Sequence, residues 1–447
     1  MKSAALALLL AACPRVPDRR GAGPDGGPPV DAGPPDAASK DGGPADAGLP
    51  TEWPNLVSFA NSDPWIAENH ERIRLMRPRV LALQFDNRSS VVAMETLLGR
   101  IIDGFREGSR NHGYSDPDAP AFLEYEIVKS VELRDDPPPD DWTLQNSTLY
   151  PRETPQEGSW GFDYEALFSE EFADHYGFPD PEQAGANLDL CELLDRGIVH
   201  EVWIHASADV EDASAAEVLE LKPFYDEERR RKDPVDLGGC AGNGCWDRDD
   251  EVPEHCTRSV RIGFVNATRG PGCYLHSAGH GFEWTANVGR NVPYLTREFD
   301  SFADFDLDER FGLPFDSWYA CSTPDCLTFP GESTVDYVTD AATGTLDPYV
   351  PRCGNVHLAP NSRGHYDDRS PATVSSTCEG FRQGGGPGGD DVARPFATDL
   401  FLPYEDLAPD CGGAWQVWWR QSFPGLENAA RDLDGAPMLN WWPFLFY

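Results

Sequence analysis

A short apolar run beside a stretch of helical spacing recurs between residues 80 and 284, and this repeat restricts the chain to an α/β fold. Val80-Leu-Ala-Leu-Gln-Phe85 fits a buried strand, and Asp86-Asn-Arg-Ser-Ser90 supplies turn and N-cap residues. Met94, Leu97, Leu98, Ile101, Ile102 and Phe105 then fall on one helical face, which predicts a helix over roughly 91–107. A second strand is expected within 123–133. Leu188, Leu190, Cys191 and Leu194 predict a helix stopped by Gly197, followed by Ile198-Val-His-Glu-Val-Trp-Ile204 as a strand. Residues 208–258 read as a charged, loop-rich insertion, after which Val260–Val265 gives another strand. The expected architecture is an open, mostly parallel sheet with helices on both faces, in one large domain over 51–447. Its C-terminal half, about 300–447, reads as irregular, loop-rich and disulfide-braced.

Ligands of open α/β sheets bind outside the carboxyl ends of the strands. That edge gathers Asp86 and Arg88 after the first strand, His205 after the third and Asn266 after the last. The same edge precedes Cys273-Tyr-Leu-His-Ser-Ala-Gly-His-Gly-Phe-Glu-Trp284, in which His276, His280 and Glu283 are spaced four and three residues apart. On a helix these offsets place all three side chains on one face. Two imidazoles and a carboxylate match a catalytic zinc set with one position left for water. Two buried, hydrogen-bonded histidines and a solvated glutamate are the plainer alternative.

Later in the chain, Cys353-Gly-Asn-Val-His357-Leu-Ala-Pro-Asn361 and His365-Tyr-Asp367-Asp368 concentrate imidazole, carboxamide and carboxylate groups. A self-bonded polar loop competes with a functional reading there, evenly for His357 and more strongly for His365. Asp304-Phe-Asp306-Leu-Asp308 is a weak calcium-loop candidate without the glycine and terminal glutamate of an EF-hand. Trp415, Trp418, Trp419 and Phe423 share helical spacing, and Trp441-Trp442 follow; burial in the core is favoured over a sugar-stacking platform.

Taken together, Leu188–Ile204, Gly279-His-Gly-Phe-Glu283, the Cys-Gly-Asn-Val-His-Leu-Ala-Pro-Asn segment with Tyr366-Asp367, and the Trp-rich end resemble an uncharacterised family of secreted proteins from bacteria and fungi. The resemblance implies that His280, Glu283, His357 and Asn361 occupy recurring motif positions. The family pattern carries a glutamate where this chain has His276, another residue able to bind a metal.

Residues 1–13 read as a lipoprotein signal: Lys2, a short apolar run, then Leu10-Ala-Ala-Cys13 as a lipobox. The expected mature N-terminus is a lipidated Cys13 in the bacterial cell envelope, at the outer rather than the inner membrane. Residues 14–50 contain 17 Pro and Gly among 37 residues and read as a disordered tether. Ten cysteines remain beyond Cys13. Cys240/Cys245, Cys321/Cys326 and Cys353/Cys378 suit local loops, and Cys191, Cys256, Cys273 and Cys411 make two more bridges. A formal charge of −40 argues against nucleic-acid partners.

These readings converge on a lipid-anchored, monomeric, extracytoplasmic hydrolase that uses a divalent metal, zinc for preference, on a glycan or peptide. His276, His280, Glu283 and His357 are its expected ligands, and Asp367 or His205 its expected general base. The alternatives are a metal-free glycosidase using Glu283 with Asp367 or Asp336, and a non-catalytic glycan binder using Trp415, Trp418 or Trp441.

Overall fold

In the computed structural model, strand β1 (Arg79–Gln84) lies between β2 (Glu126–Glu132) and β3 (Glu201–Ala206), parallel to both. Strand β6 (Val260–Asn266) continues the parallel array beyond β3, and β4 (Val218–Pro223) and β5 (Leu237–Gly239) close it antiparallel, giving the order β2-β1-β3-β6-β4-β5. The structure describes residues 50–137, 146–151, 162–207, 218–232, 237–239, 253, 255–386 and 388–447. The expected signal with Cys13, nearly all of the tether and the Cys240/Cys245 pair lie outside them.

The central strands are apolar on both sides, as a sheet covered on both faces requires. Val80, Ala82, Trp203 and Val265 face one core, with residues of α1 (Val91–Gly108), α4 (Pro271–Glu283) and α6 (Gly413–Gln421). Leu81, Leu83, Val202 and Ile204 face the other, with α2 (Glu170–Tyr176) and α3 (Leu190–Asp195). The mixed, mostly parallel α/β sheet expected from sequence is therefore present. No helix among the described residues is long and apolar enough to cross a membrane.

Two differences from expectation have physical causes. The third strand starts at Glu201 rather than Ile198, because the amides of Ile198 and Val199 bond back to the Leu193 carbonyl and finish the preceding helix turn. The second difference is β4, which lies inside the stretch read as a loop-rich insertion. Its Glu220 and Lys222 disguise it, yet both are buried. Arg261 bridges Glu220 at 3.1 Å and Glu201 at 2.7 Å, and the Lys222 ammonium donates to the Tyr447 backbone oxygen at 2.6 Å. Internal pairing lets a charged strand sit in a core where isolated charges are costly.

The C-terminal half carries more order than expected. Strands β7 (Leu327–Gly331), β8 (Thr334–Val338) and β9 (Thr343–Leu346) form an antiparallel sheet. Between α4 and that sheet runs α5 (Pro293–Phe302). Trp418, Trp419, Trp441 and Trp442 are fully buried, so they build the core and offer no face to a sugar.

Candidate metal centre

The site forms where α4, α6 and the loop after β9 meet. Helix α4 begins with Pro271, and within its first turn the Cys273–Cys411 disulfide ties it to the segment that leads into α6. A Cβ at Gly272 would stand 2.3 Å from the Pro409 carbonyl oxygen, so the close approach depends on glycine. The Cys353–Cys378 disulfide holds the start of the loop that carries His357. Helix α6 fixes this loop from the other side: Trp415 Nε1 donates to the Asn355 carbonyl at 3.1 Å, and Gln416 Nε2 to that of Val356 at 2.9 Å. Gly279 admits the loop to the helix, since a Cβ there would meet Val356 Cγ2 at 2.7 Å.

This packing brings His276, His280 and His357 together, with one ligand-type nitrogen from each within 4.8 Å of the others. His280 Nε2 and His357 Nε2 stand 3.1 Å apart. His280 Nδ1 faces Glu283 Oε2 at 2.7 Å, so with a carboxylate acceptor the proton sits on Nδ1 and the Nε2 lone pair points at His357. His276 hydrogen-bonds the Cys411 backbone through its ring, which leaves its other nitrogen for the cluster. Burial first, and then the neighbouring His280, lower the His276 pKa to about 3. His357 is pushed down as well, by burial and then by His280, His276 and His365. Burial favours neutral imidazoles here, the form that binds metals.

Glu283 takes a different place from the one its spacing suggested. Besides His280, its carboxylate receives the Tyr319 hydroxyl at 3.0 Å and the Val356 amide at 2.8 Å. It stands behind His280 and orients it, while His276 supplies the third imidazole. The residue three positions after His280 shares the helix face, but the Val356 amide and Tyr319 draw its carboxylate to the far side of the ring.

The other expected site residues separate into two groups. His365 joins the cluster: its ring centre lies 5.3 Å from that of His357 and 5.5 Å from that of Tyr319. Its Nε2 is buried without a partner among the described residues, as is His357 Nδ1. Asp367 instead accepts from the Arg363 backbone and guanidinium, both at 3.0 Å. Asn361 donates to the carbonyls of Ser370 and Ala372 and to Thr398 Oγ1, a loop-bracing role. His205 bonds Gln84 Oε1 at 2.5 Å. Asp86 accepts from Ser89 Oγ at 2.5 Å and Arg88 Nε at 3.4 Å, and Asn266 accepts from Thr268. The general-base assignments to Asp367 and His205 thus have no support in this geometry. Asp336 accepts from Thr345 Oγ1 at 2.6 Å on the hairpin sheet.

The calcium reading fails for a similar reason. Asp304 bonds Arg310 and the amides of Arg352 and Gly354, and Asp306 receives Arg352 Nη1 at 2.5 Å, so arginines already neutralise this group. Tyr319 and Tyr366 belong to the site without any spacing signal to announce them. Tyr366 carries a positive φ of 62° and lies over His357, ring centres 4.1 Å apart.

A cavity of about 240 Å³ opens beside His276 and His357, lined also by Tyr366, Asp368, Cys411 and Trp415. The described residues contain two other groupings with ligand-type atoms, but each includes disulfide sulfurs, which carry no thiolate. Comparison with protein-family models, with curated proteins and with solved structures finds no match for this chain.

Proposed function

We propose that this protein is an extracytoplasmic, lipid-anchored hydrolase that binds a divalent metal of the zinc class through His276, His280 and His357. The observation that carries the reading is the 3.1 Å approach of two imidazole Nε2 atoms, one of which is obliged by Glu283 to present a lone pair. Two nitrogens on a tetrahedral zinc stand about 3.3–3.4 Å apart, so the pair is close to ligand spacing. A proton on His357 Nε2 also satisfies the contact, and in either tautomer His357 Nδ1 is buried without a partner among the described residues, as acceptor or as donor. Three imidazoles with a carboxylate and a carbonyl behind two of them form the donor set and outer shell of a metal centre.

A bound divalent ion would supply Lewis acidity and a water activated near neutral pH. The chain's own part is positional. Glu283 fixes the His280 tautomer, Tyr319 and the Val356 amide fix Glu283, and two disulfides hold both sides of the cluster. Proposed substrates are extracellular peptides or glycans, reached through the cavity at His276 and His357.

The test begins with the chelator-treated protein, loaded with zinc and dialysed, its metal content read by atomic emission. One equivalent is expected in the parent and none in His357→Ala, with zinc restoring hydrolysis across a peptide and glycan panel. A parent that retains no metal, or a His357→Ala variant that retains it equally, would sink the metal reading and leave a hydrogen-bonded histidine pair.

A further inference from the structure

The cavity beside the histidines has one-sided chemistry. Among the described residues, Asp368 is the only formally charged side chain in its lining, which contains neither lysine nor arginine. Asp368 is also weakly matched. Its nearby cation, Arg369, stands 4.0 Å away and is bonded at 2.6 Å to Glu405 instead. Two aromatic residues, Tyr366 and Trp415, line the same space. Trp415 is nearly fully buried and Tyr366 is 58% exposed at the mouth. The Tyr366 ring is held there from both ends: its amide donates to the His357 carbonyl at 3.0 Å, and its face stacks on His276.

A volume of about 240 Å³ is smaller than the roughly 300–1,000 Å³ of sites for drug-sized ligands, so it admits one residue-sized group. Aromatic faces take methylenes and cations alike, a carboxylate takes the charge, and the nearest cation, Arg369, is turned to Glu405. The −40 net charge of the chain steers the same class of group toward the surface.

We propose that this cavity is a recognition subsite for a primary ammonium carried on a short apolar stem, with Asp368 as the charge partner and Tyr366 and Trp415 as the walls. It deepens the hydrolase reading by naming the substrate group seated next to the histidines, and it rests on that reading only for calling the ligand a substrate. A lysine side chain presents such a group on its methylenes, an amino sugar presents the ammonium beside the C–H face of a hydroxylated ring, and the test separates the two sources.

Calorimetric titrations of the full chain, metal-free and zinc-loaded, would use four probes: Nα-acetyl-lysine amide with its neutral norleucine counterpart, and glucosamine with N-acetylglucosamine. At least one amine should bind about three- to thirty-fold more tightly than its neutral partner, the range of a cation–π contact joined to a partly exposed ion pair. Preference confined to the lysine pair assigns a peptide source, and preference confined to the glucosamine pair a glycan source. Asp368→Asn should erase the preference while zinc stoichiometry stays at the parent value, and Tyr366→Leu should reduce it several-fold. Equal binding of charged and neutral probes, or a preference that survives Asp368→Asn, overturns the proposal. An amine preference in a protein that holds no zinc would sink the metal reading and leave the subsite standing; zinc retention without the preference would do the reverse.

Discussion

Two buried polar regions of this molecule look alike by composition and differ in how their groups are matched. At the carboxyl edge of the sheet, the chain leaves β1 toward β2 on one side and places β3 on the other, so a crevice is expected between β1 and β3. Asp86, Arg88, His205 and Ser207 stand there. The His205 ring bonds Gln84, Asp86 bonds Ser89 and Arg88, and the Ser207 amide donates to Asn146 Oδ1 at 2.9 Å. In the second region, at α4 and the His357 loop, two imidazole Nε2 atoms face each other at 3.1 Å and two further ring nitrogens, His357 Nδ1 and His365 Nε2, are buried without partners among the described residues. The comparison teaches that a cluster of titratable groups at a favoured address is weak evidence for a site. Convergence of ligand-type nitrogens is stronger evidence, and unmatched capacity adds to it only there, since core tryptophans such as Trp418 and Trp419 also leave ring nitrogens without partners among the described residues.

The sharpest way to break this contrast is to remove one histidine from each region. His280→Ala should weaken zinc binding on the order of a hundredfold or more, about 3 kcal/mol, with little loss of stability, since one of three ligands is gone. His205→Ala should leave zinc stoichiometry untouched and lower unfolding stability by about 1–3 kcal/mol, because Gln84 loses its buried partner. Zinc titration and urea unfolding of both variants measure the two effects. A fall in metal affinity for His205→Ala would erase the distinction.

The brace on the site gives the next largest effect. Replacing Cys353 and Cys378 together by alanine opens a loop with a sequence separation of 25. Loop-closure entropy then predicts a loss of about 3 kcal/mol in urea unfolding. Zinc affinity should fall along with stability, because His357 follows Cys353 by four residues. Unchanged affinity would show that α6 alone positions the loop, through Trp415 and Gln416. Glu283→Gln should have a smaller effect, a ten- to hundredfold loss of zinc affinity or about 1.4–2.7 kcal/mol, as expected for an outer-shell partner. An unaffected affinity would mean that the carboxylate serves the loop rather than the ring.

Much of the fold was legible because apolar alternation and helical spacing are local signals, and they placed β1, β3, β6 and α1 to within a few residues. The missed strand, β4, shows where such signals stop: Glu220 and Lys222 look solvated until Arg261 and the Tyr447 backbone are brought beside them. The site was legible to the same degree. His276 and His280 announce themselves by a four-residue offset, and a loop was free to return His357 to them. Which face of His280 would receive Glu283 depends on the Val356 amide and Tyr319, both remote in sequence. Likewise, only the disulfide and loop contacts bring His365 next to His357, and no spacing encodes that.

A third kind of histidine provides the finest test of the matching argument. His200 is fully buried, its Nδ1 accepts the Arg79 amide at 2.9 Å, and its Nε2 faces the Phe59 carbonyl at 2.8 Å. Both nitrogens are matched for the neutral ring, and protonation would set Nδ1–H against an amide hydrogen. Burial, the largest cause, lowers its pKa from 6.5 to about 3; the Phe59 carbonyl opposes this and the Arg79 charge adds to it. Above pH 6.5 the ring is neutral both folded and unfolded, and its contribution to stability is fully present. As pH falls from 6.5 toward 3 the unfolded chain takes up a proton that the folded ring refuses. Stability then drops by about 1.4 kcal/mol per pH unit for this residue alone. His200→Gln keeps a side-chain acceptor and removes the titration, so its urea midpoint should depend less on pH between 6.5 and 5, by about that amount. If parent and variant lose stability with equal slope across this window, His200 is not held neutral by its two matched bonds, and matching ceases to separate the structural histidines from those of the candidate metal centre.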